Sequence, residues 1–233
     1  MTRTTNARIA GVTLLLYIAV GIAQMVLFGG ATAGEGPAAR LANMAQHATD
    51  VRVNVVLGLF TCFVALTLGV ALYAITRDQD ADLALLALAC RIGEGVVGAI
   101  FMPMTLGLLS IATAAGANPA DAAPPHALVT LVLTSRSWSP IISATFFAVG
   151  STLFSWLLLR GRMIPVALAW LGVVASVLLV VGLPLQLAGV LRGAVTQLMW
   201  IPMAAFEIPL ALWLLVKGVA MPAARNVVPS HAD

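Results

Sequence analysis

DLALLALACRIGEGVVGAIFMPMTLGLLSIATA, residues 82–114, decides how the rest of the chain is read. At about 1.5 Å per residue, a helix of this length exceeds the roughly 30 Å hydrocarbon core of a bilayer, and nearly all of it is apolar. Arg91 and Glu94 nevertheless stand near its middle. An ionisable side chain at that depth costs roughly 2.5–3.5 kcal/mol on insertion scales, so it turns toward protein or water and finds a partner. The stretch reads as a membrane span with a polar inner face.

The remaining sequence agrees. Of 233 residues, 61% are hydrophobic and only 9% charged, and the mean hydropathy is +1.03. A soluble domain carries about 25% charged residues, and no soluble core of this size hides so much apolar surface. The expected fold is therefore an all-α polytopic membrane protein, with the lipid bilayer as solvent and partner. The formal charge of +3 comes from scattered arginines. No basic run exists, so no nucleic-acid partner is expected. Cys62 and Cys90 lie far apart in apolar segments without CxxC spacing and read as small hydrophobes.

Six spans are expected, at about residues 7–28, 51–75, 82–115, 139–160, 164–187 and 194–218, in a single domain. Ala31-Thr32-Ala33 imitates a signal-peptidase site, but the apolar run from Ile9 to Phe28 exceeds the roughly 7–15 residues of a signal core and reads as a retained helix. In the first loop, Gly36-Pro37 marks a helix start. Leu41, Met44, Ala45 and Ala48 then fall on one face, and Arg40, Asn43, His47 and Asp50 on the other. That pattern predicts a short extracytoplasmic helix lying on the membrane surface. Asp82 reads as the N-cap of the third span, and Ser139-Pro140 as the cap and first residue of the fourth. Trp138, Trp200 and Trp213 lie toward helix ends, as interfacial belts do. Seven Lys and Arg residues flank the spans on the side of the termini and four on the other, which puts both termini in the cytoplasm.

Arg91 and Glu94 are three residues apart and can pair on one helix face, a stripe that continues through Gly98, Phe101 and Thr105. A second mid-span acid, Glu207, lies in the sixth span between Pro202 and Pro209 and shares a face with Trp200. Each proline removes a backbone hydrogen bond and frees a carbonyl four residues earlier. Pro103, Pro202 and Pro209 are read as helix breaks, and an acid beside a broken helix is a known form of membrane binding site. Gln24 adds a polar side chain in the outer half of the first span. The candidate ligand or proton site is thus Arg91, Glu94, Glu207, Thr105, Trp200 and Gln24, between the third and sixth spans. If Arg91 faces both carboxylates, one of the two acids holds a proton.

Three functions fit these residues. The first is binding or transport of a small lipophilic or protonatable molecule. The second is an accessory subunit whose ion pair only fixes helix register. The third is a lipid-modifying enzyme, although no GxSxG, HExxH or Walker motif is present. His47, Asp50, Asp121 and His126 lack metal-motif spacing, so neither metal nor cofactor is expected.

Four strings carry a family resemblance: ARIAGVTLLLYIAVGI from Ala7, LALLALACRIGEGVVGAI from Leu83, RGRMIPVALAWLGVVAS from Arg160 and WLLVKGV from Trp213. In this order, over nearly the whole chain, they resemble the bacterial domain-of-unknown-function family 4386. The resemblance implies a bacterial inner-membrane protein of about six helices with a buried acid before the WLLVKG ending, matched here by Glu207. It implies no substrate or reaction.

Overall fold

The computed structural model describes residues 2–117 and 126–220. All regular structure among them is helical: α1 Arg3–Ala31, α2 Gly36–Gln46, α3 Ala48–Thr76, α4 Ala81–Ile100, α5 Met102–Ala117, α6 His126–Arg160, α7 Val166–Leu187, α8 Val195–Leu198 and α9 Ile201–Val216. Six stretches are long and apolar enough to cross a membrane, with α4 and α5 forming one and α8 and α9 another. They pack as a closed ring: α1 on α3, α3 on α4, α4 on α6, α6 on α7, α7 on α9, and α9 back on α1.

One end of the ring is tied by charges. Asp80, rather than Asp82, caps α4: its carboxylate accepts the Leu83 N–H at 3.1 Å. Arg160 at the end of α6 reaches the same carboxylate at 3.3 Å. Beside them, Arg3 donates to the Ile75 carbonyl at 2.9 Å, so α1, α3, α4 and α6 are pinned together here.

At the opposite end, α2 departs from its expected place on the lipid surface. Met44 is fully buried, and with Leu41 and Ala45 it packs against Leu108, Leu109 and Ala112 of α5 and Val132 and Leu133 of α6. The apolar face that the sequence reserves for lipid covers protein, because α5 and the first turns of α6 extend to meet it.

Prolines behave in three ways. Pro103 is the second residue of α5, just after the chain turns at Phe101, where the Phe101 N–H bonds Ala99 instead of continuing the helix. Pro202 likewise stands in the first turn of α9, with Met199 and Trp200 between α8 and α9. Pro209 does not break its helix; α9 runs through it, held by the buried neighbours Phe206, Leu210 and Ala211. Nor does Pro140 start a helix. α6 begins at His126 and carries Pro140 inside it, since contacts of Val132 and Leu133 hold the preceding turns.

Candidate functional site

Arg91 reaches the interior through a gap that only small neighbours leave. A Cβ on Gly69 of α3 would stand 3.0 Å from the Arg91 Cβ, and one on Gly150 of α6 would stand 3.5 Å from its Cδ. The side chain is 2% exposed. Its Nη1 pairs with Glu94 Oε2 at 2.8 Å, and the Tyr17 hydroxyl of α1 donates to Glu94 Oε1. Oε1 is thus hydrogen-bonded, while Oε2 meets Arg91 as an ion pair and has no hydrogen-bond donor among the described residues. Ser143 of α6 donates to the Glu94 carbonyl at 2.9 Å, which fixes α4 against α6 at this level.

The charge on Arg91 is also spread over aromatic surface. Its guanidinium carbon lies 5.2 Å from the Tyr17 ring centroid and 5.1 Å from that of Phe147. Cation–π contacts of this kind contribute most where water is excluded. Tyr17 and Phe147 lie 6.4 Å apart with parallel rings, and Trp200 continues the row at 6.3 Å from Phe147. Arg91 Nε and Nη2 have no hydrogen-bond acceptor among the described residues.

Glu207, on α9, stands apart from this lock. Its carboxylate takes no part in the Arg91–Glu94–Tyr17 bonds, although the Arg91 charge attracts it. It lines two cavities. The larger, about 790 Å³, runs from Glu94 and Glu207 along Phe147 and Trp200 to a polar wall at Gln24 and Asn54. That is the size of a small-molecule site. It opens beside the second half of α1, where Ile22 and Met25 line it and are 54% and 70% exposed. The smaller, about 30 Å³ and partly open, is lined by Arg91, Ser151, Ser155 and Glu207 among leucines and phenylalanines. Glu207 is the residue common to both.

The six residues singled out from sequence thus fall around one region. Glu94, Glu207, Thr105, Trp200 and Gln24 line the larger cavity, and Arg91 lines the smaller. Trp200 faces inward rather than standing in an outer belt. The two acids look toward one space, but α4 and α9 are not neighbours in the ring. α3 and α1 separate them on one side and α6 and α7 on the other, and α1 and α6 supply Tyr17 and Phe147 to the space between. Both helix breaks stand at the cavity wall, at Phe101 and Trp200.

Sequence reasoning missed Tyr17, Phe147 and Asn54. Tyr17 had a readable signal, since it puts a hydroxyl in mid-span and only two tyrosines occur in the chain. Asn54 is 6% exposed and lines the cavity, where Gln24 donates to its backbone carbonyl at 3.5 Å and accepts from Thr61 at 2.8 Å. Of the residues weighed for zinc, Asp121 lies outside the described residues, and the His47 ring sits 3.1 Å from the Asn43 carbonyl. Among the described residues, no three His, Cys, Asp or Glu side chains gather as a metal site.

No curated protein and no solved structure matches the chain. A family profile does, over residues 9–218, a range that takes in most of the first span, the other five, the ion pair and both helix breaks. The chain belongs to the domain of unknown function family DUF4386.

Proposed function

We propose that this protein binds a small lipophilic cation in the larger cavity and carries it across a bacterial cytoplasmic membrane in which both termini face the cytoplasm. The observation that carries this reading is the carboxylate of Glu207 on a cavity of about 790 Å³ whose wall continues along Phe147 and Trp200. A carboxylate outside the Arg91–Glu94–Tyr17 lock, on a cavity wall that is mostly apolar, favours a cationic guest, and aromatic faces add cation–π attraction. Arg91 and Glu94 fill a different role. They pair with each other, and with Tyr17 they brace the wall against which the guest lies. The accessory-subunit reading accounts for that brace but leaves Glu207 and the cavity without a purpose. The opening beside α1 lets a lipophilic guest arrive from the bilayer.

The test uses two ions of like shape and opposite charge. Tetraphenylphosphonium should raise the thermal unfolding temperature of the purified protein in detergent, and tetraphenylborate should not. Glu207→Gln should weaken the phosphonium effect by about tenfold or more in concentration. Equal responses to both ions would overturn the reading.

A further inference from the structure

We infer that the protein exchanges a proton for its cation at Glu207, so that the two compete for one carboxylate; this rests on the cation-binding reading above. The two cavities carry the argument. They are separate, and the one residue they share is Glu207. The larger admits a guest. The smaller, at about 30 Å³, has room for about two water molecules.

Its wall is mostly leucine and phenylalanine, and its polar residues are Arg91, Ser151, Ser155 and Glu207. Arg91, which forms part of its wall, has two buried donors, Nε and Nη2, without acceptors among the described residues. Buried donors of a charged group are rarely left unmet, and bridging water is the usual remedy. The hydroxyls of Ser151 and Ser155 line the same space. Water there would join Arg91 to Glu207 and give the carboxyl a route for its proton distinct from the route of the guest.

The step balances without an oxidant or reductant. With the cation absent, Glu207 holds a proton. When the cation arrives, the carboxyl O–H bond breaks, the proton passes to water in the smaller cavity, and the carboxylate pairs with the cation. Departure of the cation reverses it. Other ionisable groups facing this region are Arg91 and Glu94 from α4, Tyr17 from α1 and Cys62 from α3, while α7, the other helix packed on α9, contributes none. Arg91, Glu94 and Tyr17 are committed to one another. Glu207 is left as the exchanging acid.

The experiment adds tetraphenylphosphonium to the purified protein in weakly buffered detergent solution and reads released protons with a pH-sensitive dye, while equilibrium dialysis measures binding. Native protein should release a proton for each cation bound, and affinity should fall as the solution is acidified, approaching about tenfold per pH unit. Glu207→Gln should lose the release. Glu207→Asp, which keeps a carboxyl, should retain it and shows that the loss is not a failure to fold. Binding without proton release, or release that persists in Glu207→Gln, overturns the exchange and leaves cation binding standing. No phosphonium binding by native protein at any pH overturns both.

Discussion

Arg91 is fixed by what surrounds it more than by its own chemistry. Two glycines make room for its stem, two rings take up part of its charge, and Glu94 meets its tip. Removing one member of a buried pair strands the other, at a cost of about 3–5 kcal/mol. Arg91→Leu should therefore lower stability by about that amount, and adding Glu94→Leu should recover most of it, as read by thermal unfolding in detergent. A double variant no more stable than the single one would show that the pair is not the unit of cost. Tyr17→Phe removes only the hydrogen bond to Glu94. It should cost about 1.5–3 kcal/mol, the value of a bond to a charged group, with the helical content unchanged by circular dichroism.

Among the elements, the broken helices respond differently to the same residue type. Around Pro209, the buried side chains on both sides hold α9 together. Around Pro202, the upstream turn exposes Val195 and Leu198, so nothing carries the helix through, and the chain bends at Trp200. Pro202→Ala should extend α9 backward, turn Trp200 off the cavity wall and weaken phosphonium binding by about tenfold with little loss of stability. Unchanged binding in a dialysis assay would show that the bend is not needed. These cases also mark what is legible from sequence. Helical spacing suffices to put Glu94, Gly98, Phe101 and Thr105 on one wall, because period and burial go together. It does not tell Pro209 from Pro202, since the difference lies in contacts made by other helices. The same holds for α2, whose apolar face is equally compatible with lipid and with α5, and for Tyr17, which meets Glu94 only once α1 and α4 are brought together.

For the whole molecule, the ring of six spans is what makes a cavity from helices that are individually ordinary. Its closure is tight where α1 meets α9: a Cβ on Gly11 would stand 2.8 Å from the Ala211 carbonyl oxygen and 2.7 Å from Leu215 Cγ. Gly11→Val should push the two apart and cost about 1–3 kcal/mol, seen as a lower unfolding temperature. An even number of spans puts both termini on one side, with the Arg160–Asp80 pair, and we propose that this side faces the cytoplasm. A fluorescent reporter that matures only in the cytoplasm should be bright when fused at either terminus; brightness at one alone would refute the six-span topology.

Closure between the first and last spans also bears on how the protein is made. A ribosome delivers spans in order, so α1 enters the membrane long before the helix that will cover its flank exists. Until α9 arrives, the side of α1 that carries Gly11 can only meet lipid or a temporary companion. Insertion and maturation are then separate events. A chain can cross the membrane five times, with Arg91 and Glu94 already paired, and still lack Trp200 and Glu207, which the last span brings to the cavity.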